Sequence, residues 1–317
     1  MPDNPALSAI VISRDDEDRI ERSVRAVLDQ ECPETFEVIV VTSGRDRTAE
    51  IVRDTFPEVR LIVLDQPALP GVARNAGLRI ARGDYVTFPG SHVVVPPGVL
   101  AARLDAHQQG YDMVTGAIRN GTETPAGWAS YFLDHSHSLP HRPPGPADAP
   151  PAHCSYRRQP LLAVGGFPED MRAGEDTVVN RKLFSRGCSA YRLDTVVMTH
   201  NSPCRDARTL VRHHFQRGRA MGRIILDEAE SAETPGLTAR ALLYWLFAVV
   251  PRRVSETSRN VNRWGADLAP KYRRVYALVV LGATAAWAGL WYELLPGLIR
   301  RRSRTERSAR RRRRSRR

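Results

Sequence analysis

Short apolar runs alternate with amphipathic stretches through the first 90 residues of the chain. Residues 6–13 (ALSAIVIS) form a continuous apolar, β-branched run, which predicts a strand buried on both faces. The run stops at Arg14-Asp15-Asp16, and residues 18–30 then place Ile20, Val24 and Leu28 at helical spacing. Residues 36–42 (FEVIVVT) predict a second buried strand, 47–55 a helix, and 60–64 (RLIVL) a third strand. Residues 71–81 predict another helix and 84–88 (DYVTF) a fourth strand. Strands of this length alternating with helices predict a parallel sheet covered on both faces. Ligands of such sheets gather beyond the carboxyl ends of the strands. Ser13 to Asp16, Thr42 to Arg45, and Pro89 to His92 should therefore face one crevice.

The second half is less regular. Residues 105–121 return to helix and then strand, and 128–137 (WASYFLDHSH) predict a helix. Residues 138–151 hold six prolines without periodicity and predict a loop. A loop of that length in a compact domain is commonly functional, and its place before Cys154 suggests a cover over a bound ligand. His135, His137 and His141 look metal-like by composition. Their spacing does not put the side chains on one helix face, so a solvated or ligand-contacting patch is the better reading. In residues 154–187, Gly165 and Gly166 turn the chain, and Gly174-Glu175-Asp176 opens directly onto a helical run. Carboxylates at a helix start are favoured by the free N–H groups and the dipole, so capping alone would explain them. A loop-to-helix junction is also where catalytic groups are commonly mounted. Residues 208–226 (RTLVRHHFQRGRAMGRIIL) predict a basic amphipathic helix, on which at most one of His213 and His214 faces inward.

Charge changes the picture only at the end of the chain. Residues 300–317 hold twelve Arg and one Glu, a net of +11 out of the total +12, which leaves about +1 for residues 1–299. A nucleic-acid-binding protein using the arginine tail would carry basic residues over its fold as well, and this near neutrality argues against it. The like-charge block predicts a disordered tail that is drawn to phosphate-bearing surfaces. Residues 241–251 (ALLYWLFAVVP) and 275–292 (VYALVVLGATAAWAGLWY) carry no charge. The second is at the lower limit of length for crossing a bilayer, and the first is too short. Trp245, Trp287, Trp291 and Tyr292 suit a membrane interface. Arg252, Arg253, Lys271, Arg273, Arg274 and the tail flank these runs, which favours an in-plane or hairpin helix on an anionic membrane. The alternative is a helix pair packed on the folded domain. The expected organisation is an α/β domain over 1–235, a membrane-associating helical segment over 236–299, and the tail over 300–317. The four cysteines form no C-x-x-C pair and no apolar leader precedes the first strand. Free thiols on the cytoplasmic side are expected.

The series of motifs resembles family 2 glycosyltransferases of the GT-A fold. That family's usual order is T-Y-N-E after the first strand, D-D-G-S after the second, an A-R-N-x-G helix, and G-D-Y-V-x-F-L-D-A-D-D with P-x-x-L beyond. The matching stretches here are SRDD (13–16), TSGR (42–45), ARNAG (73–77) and GDYVTFPGSHVVVPPGVL (83–100). Residues 154–187 resemble the family's acceptor half, where a G-G-F turn precedes a G-E-D-x-x-x-x-R helix. The resemblance covers roughly residues 6–220. It implies an α/β GT-A fold, Rossmann-like, with a mostly parallel sheet between helices, followed here by apolar and amphipathic C-terminal helices. It implies inverting, hexosyl-type transfer of a sugar from a nucleotide-activated donor to an acceptor hydroxyl. Asp176 would be the catalytic base, and Glu175 would orient it or bind the acceptor. Donor contacts would come from Ser13, Arg14, Asp15, Asp16, Thr42, Ser43, Arg74, Asn75, Gly90, Ser91 and His92. Acceptor contacts would come from Arg157, Gln216 and Arg219. Attachment to the cytoplasmic side of a membrane, peripheral or through the C-terminal helices, would suit a lipid-linked acceptor.

Two departures from the family pattern matter. Thr42 and Ser43 replace carboxylates that help hold the nucleotide base, and Gly90-Ser91-His92 replaces the D-x-D pair. A hard cation such as Mg²⁺ wants carboxylate oxygens, whereas imidazole suits Mn²⁺ or Zn²⁺. Three arrangements remain open. His92 and His200, the latter matching a C-terminal metal-binding histidine of many GT-A enzymes, could hold a divalent cation. They could instead be two separate hydrogen-bonding histidines. In the third arrangement Arg14, Arg45 and Arg74 neutralise the pyrophosphate without metal. The departures also admit a rival, a non-catalytic GT-A-like scaffold at the membrane.

Overall fold

The computed structural model describes residues 4–91, 93–147, 153–230 and 242–314, with side chains described except at 93–94, 228–230 and from 299 onward. The chain divides into two compact units. The first comprises Met1–Glu123, His135–Ser202 and Asn260–Asp267, and the second Thr124–Asp134, Pro203–Arg259 and Leu268–Arg317.

The first unit opens with β1 (Leu7–Arg14), α1 (Ile20–Leu28), β2 (Phe36–Ser43), α2 (Thr48–Thr55), β3 (Arg60–Val63), α3 (Pro70–Ile80) and β4 (Tyr85–Thr87). These follow the apolar runs closely: β1 and β2 are buried on both faces, and β3, at the edge of the sheet, is half-buried. Leu7, Ala9 and Val11 of β1 join one core cluster with Ile20 and Val24 of α1. Ile10 points the other way, into a cluster with Ala73, Ala76 and Leu78 of α3. A two-sided core explains the unbroken hydrophobicity of the strand. Next come β5 (Val93–Val94), α4 (Val99–Gln108) and β6 (Met113–Asn120). After α5 (Pro125–His135), which lies in the second unit except for His135, the first unit continues with β7 (Gly145–Pro146), β8 (Ser155–Arg157), α6 (Arg158–Ala163), α7 (Glu175–Ser185) and β9 (Ala190–His200).

The sheet order is β3-β2-β1-β4-β8-β6-β9-β5, with β7 also on β9. The expected parallel pairing holds across β3-β2-β1-β4 and between β6 and β9. The second half corrects the expectation: β8 runs antiparallel to both β4 and β6, and β5 and β7 are antiparallel to β9. β8 is only three residues long and lies between β4 and β6, antiparallel to each. Register aligns Ser13 with Thr42 and Arg14 with Ser43, and an isolated bridge joins Ile12 to Gly90. The ends of β1, β2 and β4 therefore present their loops at one edge.

The second unit is helical: α5 up to Asp134, α8 (Ala207–Glu230), α9 (Val249–Trp264) up to Arg259, and α10 (Ala269–Arg314). α8 and α10 pack through small residues. A Cβ at Gly218 would overlap the carbonyl oxygen of Ala286, and one at Gly289 would overlap that of Phe215. Gly289→Val should force the helices apart and lower stability by about 1–3 kcal/mol, read as a lower thermal midpoint by circular dichroism. A midpoint equal to wild type would show that the contact does not matter. Ile225, Leu290 and Leu294 pack with Trp245 and Trp291, whose indole N–H donates to the Trp245 carbonyl at 3.2 Å. Trp245 and Trp291, expected at a membrane interface, thus spend part of their surface inside this unit. The helix over Ala266–Leu298 is long and apolar enough to cross a membrane, with 39% of its most apolar window buried. The arginine-rich segment, expected to be disordered, continues α10 as helical backbone to Arg314. Arginine is a good helix former, and here it extends an existing helix rather than nucleating one.

Candidate active site

At the β1–β2–β4 edge the loops lock onto each other. Asp15 adopts a left-handed backbone (φ 51°), and its Oδ1 accepts the Arg45 N–H at 3.0 Å. The buried Asp16 carboxylate accepts the Arg14 N–H at 3.3 Å, the Ser91 hydroxyl and the Arg19 guanidinium. Ser23 donates to the Ser91 carbonyl at 2.7 Å. Ser91 is thus anchored from two directions. Thr42 is buried, and Ser43 Oγ accepts the Ala68 N–H at 3.2 Å. Ser13 is buried, and among the described residues its Oγ has no hydrogen-bond partner. Ser13, Arg14, Asp15, Asp16, Thr42, Ser43, Gly90 and Ser91 are brought together as expected, whereas His92 lies outside the described residues.

Among the described residues, this edge is poorly suited to a hard divalent cation. Gly90 and Ser91 offer no carboxylate, and Asp16 is already held by Ser91 and Arg19. Nearby, Arg103 is buried without an ion pair among the described residues, donating to Thr87 Oγ1 at 2.8 Å and the His153 carbonyl at 3.0 Å. A buried, uncompensated cation makes a second one less welcome.

His200 meets two histidines that sequence spacing does not connect to it. Its ring centroid lies 4.7 Å from that of His135 and 6.0 Å from that of His153, with 5.3 Å between the latter two. His153 has a positive φ of 53°. The only local signal for it was its place just ahead of Cys154. His141 lies instead 3.7 Å from Asp267. Arg142 stacks on Trp264 with 4.6 Å to the centroid, and the Arg142 and Pro143 carbonyls accept the Arg192 guanidinium. The start of the expected cover is therefore pinned down, and residues 148–152 lie outside the described residues.

The segment from Phe167 to Glu175 is fastened to α3. Asn75 donates from Nδ2 to the Phe167 carbonyl at 2.8 Å and to Glu169 at 2.9 Å, and its Oδ1 accepts the Phe167 N–H at 2.9 Å. The G-G-F turn needs glycine because Gly166 has φ 69° and a Cβ there would meet Asn75 Oδ1 at 2.6 Å. Asn75, expected at the donor, spends its amide on this clamp. Arg74 pairs with Glu175 at 2.9 Å, its side chain 17% exposed and that of Glu175 7%. The Arg74 guanidinium also lies 5.1 Å from the Phe167 ring centroid. Gly174, with φ 87°, caps α7, and Asp176 follows Glu175 in the first turn. Asp176 Oδ1 accepts the Thr177 N–H at 2.8 Å. Burial pushes the Cys154 thiol and the Tyr156 phenol up, and the Asp176 charge adds to both shifts.

Of the expected acceptor residues, Arg157 is not brought to this edge. Arg157 pairs with Tyr85 at the start of β4, the far end of that strand, and lies 3.5 Å from Asp112. β8 runs antiparallel to β4, so its carboxyl end points away from Gly90. Gln216 and Arg219 lie on α8 of the second unit, where Arg219 pairs with Glu293 at 2.6 Å.

A β3-β2-β1-β4 sheet ending in polar loops, followed by a half that ends in a carboxylate-bearing helix start, has the GT-A fold. Residues 8–164 match the family described as "Glycosyl transferase family 2", and through this stretch the chain belongs to that family. The uncharacterized glycosyltransferase YfnE of Bacillus subtilis (strain 168) is 31% identical over 110 residues, 34% of this chain and 28% of the relative. The succinoglycan biosynthesis protein ExoO of Rhizobium meliloti (strain 1021) is 36% identical over 103 residues, 32% of this chain and 29% of the relative. The matched part thus spans under a third of these curated relatives. Among solved structures, the mannosyltransferase PcManGT of Pyrobaculum calidifontis, in complex with GDP-Man and Mn²⁺, aligns with a TM-score of 0.56 at 19% identity. It covers 94% of this chain and 87% of that one. S. aureus TarS 1–349 aligns with a TM-score of 0.51 at 19% identity, covering 88% and 90%. These two likenesses speak to the fold alone.

Proposed function

We propose that the chain is an inverting glycosyltransferase, moving a sugar from a nucleotide-activated donor to an acceptor hydroxyl. The observation that carries this reading is the Arg74–Glu175 ion pair. It ties the A-R-N-A-G helix, inside the family match, to the G-E-D segment beyond it. Glu175 thereby braces the helix start, and this reading gives the neighbouring carboxylate of Asp176 the part that acts on the acceptor.

Asp176 takes the proton from the acceptor hydroxyl, and the oxygen attacks the anomeric carbon. The bond from that carbon to the nucleoside diphosphate breaks on the opposite face, so a single displacement inverts the centre. A positioned general base contributes about 10²–10⁴-fold to such a step. Arg14 and Arg45, on the loops after β1 and β2, neutralise the leaving pyrophosphate through charge-assisted hydrogen bonds. Arg74 is already spent on Glu175 and takes less part. Where the comparison mannosyltransferase is bound with Mn²⁺, this edge works with arginines. Transfer assayed over a panel of nucleotide sugars should therefore survive EDTA. Loss of all turnover in EDTA, restored by Mn²⁺, would overturn the arginine assignment.

The acceptor is membrane-borne in this reading. Leu243, Phe247, Tyr276, Tyr292 and Leu295 are exposed large apolar residues of the second unit, and Arg252, Arg273 and Arg274 are exposed alongside them. Apolar side chains with a basic set nearby suit the cytoplasmic face of an anionic bilayer and a lipid-linked acceptor. The chain should co-sediment with phosphatidylserine vesicles and be released by high salt. Equal recovery with neutral vesicles at low salt would count against the electrostatic part.

The second reading, a non-catalytic scaffold, rests on the missing carboxylates at Gly90 and Ser91. Thermal shift with nucleoside diphosphates separates the two, since a scaffold need not bind any.

A further inference from the structure

The second unit contains a polar cluster that the donor and acceptor motifs do not include. Asp134 sits in the last turn of α5, its side chain 7% exposed. His213, His214 and Arg217 reach it from α8. His213 Nε2 lies 3.3 Å from Asp134 Oδ2, which also accepts Ser130 Oγ at 3.2 Å, and Arg217 Nε lies 3.1 Å from Oδ1. His214 is 3% exposed, and a Cβ at Gly282 of α10 would stand 3.2 Å from its ring. Among the described residues, its buried Nε2 has no hydrogen-bond partner. One ligand atom from each of Asp134, His213 and His214 falls within 4.8 Å of the others.

We propose that Asp134, His213 and His214 form a divalent-cation site with a preference for Zn²⁺, separate from the donor edge. Two imidazoles and one carboxylate match the three-protein-ligand pattern of zinc sites that keep a fourth position for water. Bonds of about 2.0–2.2 Å at tetrahedral angles put ligand atoms about 3.3 Å apart. The His213–Asp134 separation already equals that edge, and it is long for a charge-assisted hydrogen bond of about 2.7–2.9 Å. A cation would also give a buried imidazole nitrogen the partner it lacks. His213, 25% exposed, leaves a path from solvent. Arg217 holds the second carboxylate oxygen and competes with the metal, which sets the sign of one test.

The full chain, stripped of metal, would be titrated with Zn²⁺ against a chromophoric chelator and with Co²⁺ by visible absorption. One Zn²⁺ per chain is expected, with the intense Co²⁺ bands of a four-coordinate site. His213→Ala should weaken Zn²⁺ at least about 100-fold, since even outer-shell changes cost 10–100-fold. Arg217→Gln should tighten it by removing the competing cation. His200→Ala should leave it unchanged. No saturable binding by wild type, equal affinity in His213→Ala, or loss of binding in His200→Ala would each overturn the site. Arg217→Gln keeps the test decisive should His213→Ala fold poorly: tighter binding supports the site, and weaker binding or none overturns it.

Discussion

Asp176→Asn should remove sugar transfer almost completely while leaving the protein folded. The amide keeps the shape of the side chain, and its Oδ1 can still accept the Thr177 N–H, so the helix start survives. Losing a negative charge at the first turn of α7 costs about 0.3–1 kcal/mol through the helix dipole, a small change in thermal midpoint. An amide cannot take the acceptor proton, so kcat should fall by about 10²–10⁴-fold with the donor KM little changed. The experiment is steady-state transfer with whichever donor the panel identifies, beside a melting curve. Transfer within a few-fold of wild type, in a folded sample, would remove Asp176 from its role and return it to capping.

Breaking the Arg74–Glu175 pair should cost more in stability than any surface ion pair in the chain. Both side chains are largely buried, and removing one leaves the other uncompensated, at about 3–5 kcal/mol. Arg74→Met also loses the contact with the Phe167 ring, worth about 0.5–2 kcal/mol. Glu175→Gln should be destabilising too, and the double variant should be less unstable than the sum of the singles, because neither charge is then stranded. Urea unfolding of the four proteins checks this. Single variants within about 0.5 kcal/mol of wild type would mean that the pair is solvated and does not hold the two halves together. The double variant should remain poorly active even if its stability recovers. The G-E-D helix start would then have lost the partner that orients it.

The pair also shows where local sequence stops being informative. The resemblance of residues 73–77 to the A-R-N-x-G motif is what assigns Arg74 and Asn75 to the donor. Neither period nor propensity records that α3 also faces the Gly165–Phe167 turn, about 90 residues later. The same limit explains Arg157. Its neighbours Ser155 and Tyr156 look like any short strand, and only the antiparallel pairing with β4 sends Arg157 to the far end. His135, His153 and His200 carry no spacing signal, since their meeting depends on where α5 and β9 end.

By itself the sequence determined the alternation of buried strands and helices through residue 88, the separation of the arginine block from a near-neutral remainder, and the Gly174-Glu175-Asp176 helix start. Each is a local property: a side chain's period along the backbone, a count of charges, or a left-handed glycine before a turn of free N–H groups. The tertiary structure alone decided the antiparallel half of the sheet, the Asn75 clamp, the Arg74–Glu175 pair, the buried Arg103 beside the β1–β2–β4 edge, and the Asp134–His213–His214 cluster. All of these join residues far apart in the chain, and their energy comes from burial and pairing that exist only once the core has closed.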